Sequence, residues 1–138
     1  FFFKQKTAYE IRNCDWSSDV CSSDLTGNES RMARIKLEAF GVWTHFAWGA
    51  YSEEGDDRNA IARVAVQRAA DLHGVRAERC IVVGDTEHDI ACARAASARV
   101  VAVTTGGRTR EQLAAHAPDL LLDDLSDPAP LLRWARAL

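Results

Sequence analysis

No excess of positive charge runs through this sequence: 17 Lys and Arg stand against 20 Asp and Glu, for a formal net charge of -3. A nucleic-acid partner is therefore not expected, since phosphate backbones are recognised by basic faces. No apolar run approaches the roughly 20 residues that a membrane-spanning helix needs, so no membrane partner is expected either. The opening FFFKQK lacks the positive-then-apolar layout of a secretory signal. Cysteine is scarce, with four in 138 residues. Cys80 begins an apolar run and Cys92 sits in an alanine-rich segment. Both read as small buried residues of a cytoplasmic protein rather than as disulfide partners.

Composition changes abruptly near residue 25. Residues 1–25 hold one alanine and one arginine, and residues 26–138 hold 22 and 13. The first stretch shows neither helical nor alternating periodicity, and a polar, disordered tail is the plain reading of it. DWSSDVCSSDL also resembles the conceptual translation of a sequencing-library adapter, and KQKTAYE resembles that adapter's other arm. Residues 1–25 are therefore expected to be non-native and disordered, and residues 26–138 to form the folded unit. DWSSDVCSSDL is too polar and serine-rich to be expected in a buried strand.

From residue 26 onward the pattern alternates. A helix is expected within TGNESRMARIKLEAFG, capped by Asn28 or Ser30, with Met32, Ile35 and Phe40 as its apolar stripe and Gly41 as its stop. HFAWGAY at 45–51 reads as a strand. Arg58 to His73 has helical spacing, with Gly74 behind it. Cys80 to Val83 reads as a strand, Asp89 to Ala96 as a helix, and Arg99 to Val103 as the next strand. Thr109 and Gln112 make a capping-box pattern for a helix to about His116. A short strand at Asp119 to Leu122 and a helix at Pro130 to Leu138 close the chain. Strands alternating with helices imply βαβ units and an α/β fold with a parallel sheet. In such folds the active loops gather at the carboxyl ends of the strands. TGN, GDTEHD and TTGG would all sit on that edge.

Three of these segments carry chemistry. In GDTEHD, Gly84 permits a sharp turn. Asp85 at a strand end and Asp89 four residues on can converge on one point. Hard cations take oxygen ligands, and Mg²⁺ commonly uses one or two carboxylates with waters and phosphate oxygens. A solvated acidic loop at a helix N-terminus is the alternative. Thr26-Gly27-Asn28 offers a hydroxyl and amides to a phosphate, although a turn with a helix cap would look the same. Arg58 opens a helix, where the dipole disfavours a cation. It either clamps a phosphoryl group or pairs with Asp56 or Asp57 at the surface.

In order and spacing, these motifs resemble the haloacid dehalogenase-like (HAD) hydrolase superfamily, above all its phosphoglycolate-phosphatase-like members. TGN resembles the family's second motif, Arg58 the basic residue of the third, and GDTEHDI the fourth, GDxxxD. The resemblance implies a Rossmann-like parallel sheet flanked by helices, truncated to the C-terminal part of the core and without its cap. It implies a Mg²⁺-dependent phosphatase of a small phosphate ester. Thr26, Gly27, Asn28 and Arg58 would hold the phosphate, with Thr26 and Arg58 also acting in catalysis, and Asp85 and Asp89 would serve the metal. Members often carry Pro where Glu87 stands and Gly where Ser97 stands, and His88 is an ordinary position in them. The family's nucleophile lies in DxDGT, and no Asp-x-Asp occurs in this sequence. That motif would lie upstream of Thr26, so the chain as written is expected to be inactive and not to form a stable monomer. A receiver-like phospho-acceptor or binding module and a metal-free dehalogenase remain as alternatives.

Overall fold

The computed structural model describes residues 2–3 and 23–138. Six strands are present among them: β1 (Phe2–Phe3), β2 (Ser23–Leu25), β3 (Trp48–Ala50), β4 (Ile81–Gly84), β5 (Arg99–Val103) and β6 (Leu120–Leu122). They form one sheet in the order β3-β2-β1-β4-β5-β6, and every pairing is parallel. The helices are α1 (Ser30–Ala39), α2 (Arg58–His73), α3 (Glu87–Ala95), α4 (Arg110–Ala114) and α5 (Ala129–Arg136). This is the expected Rossmann-like α/β architecture.

The strands sort their side chains by parity. Val82, Val100 and Ala102 face a core layer with Ile61, Ala65 and Ala69 of α2 and Ile90 and Ala93 of α3. Ile81, Val83, Val101 and Val103 face the opposite layer, with Leu37 of α1 and Leu131 of α5. Successive side chains of a strand point to opposite faces. A sheet covered by helices on both sides therefore takes the unbroken apolar runs IVV and VVAV.

Local signals set several boundaries. Asp57 caps α2 by accepting from the Ala60 amide at 2.7 Å, and Gly74 ends it with φ at +65°, a conformation glycine adopts without strain. Helix α3 begins two residues earlier than expected, because Thr86 and Asp89 close a capping box around its first turn. The Thr109–Gln112 box stands at the head of α4. Cys80 and Cys92 are buried free thiols, and burial pushes the Cys80 thiol upward. Cys14 and Cys21 lie outside the described residues.

Three expectations need correction. Helix α1 is entered through Glu29 without a side-chain cap. Ser30 instead gives its amide and hydroxyl to Glu53, at 2.9 and 2.7 Å. The same helix buries Ala33 and Leu37, leaving Met32, Ile35 and Phe40 about half exposed. Within the segment 45–51 only Trp48–Ala50 is strand, and His45 belongs to a tight turn that begins at Trp43.

The third correction concerns the leading segment, which the sheet admits at two places. Phe2–Phe3 lies between β2 and β4, in register with Ser23–Asp24 on one side and Val82–Val83 on the other. Ser23 and Asp24 are buried in β2. The edge of β4 is thus paired, since a β-ladder is made by main-chain groups whatever side chains accompany them. Expectations for residues 4–22 fall outside the described residues.

Candidate active site

Thr26, Gly27, Asn28, Arg58, Asp85 and Asp89 all line one cavity of about 700 Å³. It opens at the carboxyl edge of the sheet, where β2 and β4 run out into their loops. The sequence places these residues on three separate segments, and the topology brings the segments together.

The acidic loop is the most tightly held part. Asp85 and Asp89 are 3% and 6% exposed. Asp89 Oδ2 accepts from the Thr86 hydroxyl at 2.6 Å and from the Thr86 and Asp85 amides at 3.0 and 3.2 Å. Its other oxygen lies 3.4 Å from Arg58 Nη1. Asp89 is thus spent on holding the loop and the arginine, while Asp85 sits at the strand end. Two glycines make room for the carboxylates. A Cβ on Gly84 would come within 2.4 Å of the Asp89 Cβ, and one on Gly106 within 2.1 Å of Asp85 Oδ2.

Arg58 takes its charge across the cavity to Asp89 rather than to its neighbours, and Asp57 is occupied as the helix cap. On the β2 side, the Thr26 amide donates to the Ala50 carbonyl at 3.2 Å, continuing the ladder. Thr26 Oγ1 accepts from the side-chain and main-chain nitrogens of Asn28, at 2.7 and 3.2 Å.

Sequence reasoning missed three contributors. Lys36 of α1 lines the cavity and reaches the Asn28 side-chain oxygen at 3.1 Å. Arg108 lines it too, forked onto Glu87 through two bonds of 2.7 Å. That fork holds the Glu87 carboxyl down to about 2. Gly106 is the third. A fourth, the Thr86–Asp89 box, alone had a readable signal, the T-x-x-D spacing. Lys36 and Arg108 act across 8 and 21 positions, which no local pattern records. His88 is mostly exposed, with Glu87 Oε1 at 3.9 Å from its Nε2.

The parallel sheet, with the cavity at its carboxyl edge, defines a Rossmann-like core. The chain belongs to the HAD-hydrolase-like family, whose profile matches residues 60–128. Among curated proteins it is similar to the pyrophosphatase PpaX of Bacillus cereus, with 37% identity over 67 residues. That match covers 49% of this chain and 31% of the pyrophosphatase. Among solved structures it is similar to a predicted phosphoglycolate phosphatase from Haemophilus somnus, with a TM-score of 0.72 and 20% identity. A haloacid dehalogenase-like hydrolase from Streptococcus pneumoniae gives 0.70 and 20%. Each match covers 92% of this chain, and 55% and 56% of those structures respectively. At such identities the likeness is one of fold. The chain spans little more than half the length of these structures.

Proposed function

We propose that this chain carries the phosphate- and metal-holding part of a phosphatase site for a small phosphate ester. The observation that supports this reading most is the convergence of Thr26, Arg58, Asp85 and Asp89 on one cavity. A hydroxyl and a guanidinium suit the equatorial oxygens of a transferring phosphoryl group, where positioning and charge stabilisation do most of the work.

The acidic loop fits Mg²⁺. Among the described residues no three His, Cys, Asp or Glu converge. That suits an ion held by one or two carboxylates with waters and phosphate oxygens rather than by a protein cage. Asp85 would hold the ion directly, and Asp89 would fix the loop and Arg58. Bound there, Mg²⁺ supplies positive charge against the phosphate oxygens. The carboxylate that attacks in an aspartyl-phosphate mechanism needs its own aspartate, and no Asp-x-Asp is present in the sequence. This chain is therefore a binder of phosphate and Mg²⁺ without turnover.

The test is calorimetric and kinetic together. Wild-type chain should bind inorganic phosphate more tightly with Mg²⁺ than without, and Asp85→Asn should remove the difference. An aryl phosphate assayed with Mg²⁺ should show no turnover above background. A Mg²⁺ effect that survives Asp85→Asn would remove Asp85 from the site, and metal-dependent turnover would overturn the absence of a nucleophile.

A further inference from the structure

Lysine has three donors and no acceptor, and a side-chain amide has a donor end and an acceptor end. Lys36 Nζ lies 3.1 Å from Asn28 Oδ1, so its charge decides which end of that amide faces α1. The NH₂ end is thereby turned to Thr26, where it donates to Oγ1 at 2.7 Å. The Asn28 main-chain amide donates to the same oxygen at 3.2 Å. A threonine hydroxyl has two acceptor positions and one hydrogen. With both acceptor positions used by Asn28, the hydrogen is left to donate. No described residue accepts it, and Thr26 lies on the cavity wall.

We propose that Lys36 is a positioning residue of this site: it sets the Asn28 amide, and through it aims the Thr26 hydroxyl hydrogen at an anion bound in the cavity. The inference rests on the reading of the cavity as a phosphate site. The unprotonated oxygens of a phosphate only accept, so a hydroxyl whose hydrogen is already aimed pays no reorientation when the anion arrives. With the amide reversed, Asn28 Oδ1 would take that hydrogen for itself and face the phosphate-binding hydroxyl as a competitor. Lys36 is at an exposed position of α1, where a change of side chain leaves the buried Ala33 and Leu37 in place.

The experiment titrates inorganic phosphate with Mg²⁺ into the 138-residue chain by calorimetry, with circular dichroism confirming each variant's fold. Lys36→Met should weaken binding about fivefold, the scale of one hydrogen bond. Lys36→Arg, which keeps a donor, should restore most of it. Asn28→Ala should weaken binding to a similar extent, and adding Lys36→Met to it should change nothing further, because the lysine acts through the amide. Arg58→Ala, elsewhere in the cavity lining, reports on the site itself. If phosphate does not bind, or binds regardless of Arg58, the phosphate reading falls and this inference with it. If binding depends on Arg58 while Lys36→Met is silent, or its effect adds in full to that of Asn28→Ala, the inference alone is overturned.

Discussion

Arg58 and Asp89 are 31 positions apart in sequence, and the arginine Nη1 lies 3.4 Å from the aspartate Oδ1. One partner is nearly buried and the other half exposed, with side-chain exposures of 8% and 48%. An exposed arginine held by a buried carboxylate is a cation aimed along the cavity wall.

Replacing Arg58 separates the functional role from the structural one. In a form of the protein that includes an Asp-x-Asp nucleophile, Arg58→Ala should lower kcat/KM on a phosphate ester by about a hundredfold or more, as loss of one preorganised stabiliser does. Stability should fall by roughly 1 kcal/mol, because the nearly buried Asp89 carboxylate loses its cationic partner. Kinetics and thermal unfolding on the same preparation check both halves. An unchanged rate would reduce Arg58 to a surface ion-pair partner.

Ser97 sits with φ at +57°, just after the end of α3. A side chain in that conformation is strained by roughly 1 kcal/mol relative to glycine. Ser97→Gly should therefore raise the melting temperature by several degrees. Ser97→Ala should give no such gain. Differential scanning calorimetry of the two variants decides between them.

The Tyr51 phenol is pushed up to about 12, first by burial and then by the nearby Asp24 charge. The folded value thus exceeds the ordinary 10.0. The associated stability is fully present below the ordinary value and is lost as pH rises toward the folded one. Wild-type chain should lose stability across that alkaline window, and Tyr51→Phe should flatten the loss. Asp24→Asn should bring the phenol's ionisation down, read by ultraviolet titration of tyrosinate.

Much of this architecture was legible because the signals were local. Helix α2 runs over the span its periodicity indicated, since Asp57 and Gly74 supply a cap and a stop on the spot. Asp85 and Asp89 announced themselves by spacing. Helix α1 was misread because the three marked apolar residues, Met32, Ile35 and Phe40, are large, whereas its buried stripe includes the small Ala33. Which face turns inward is decided by the sheet beneath, not by the helix. The leading residues were excluded on composition, yet the ladder takes in Phe2–Phe3 and Ser23–Leu25 through main-chain groups that composition does not describe. The Lys36–Asn28–Thr26 chain was invisible for the same kind of reason. An exposed lysine on a helix looks the same in sequence whether or not its tip reaches back to a loop.

The berth of Phe2–Phe3 between β2 and β4 has a kinetic meaning. Two residues of parallel ladder on either flank make a short fastening at the middle of a six-stranded sheet. An extended segment from another molecule offers the same amides and carbonyls and can compete for that slot, as in donor-strand exchange. Self-association of this chain should therefore rise with concentration and slow down when a free strand-forming peptide is present to occupy the gap first.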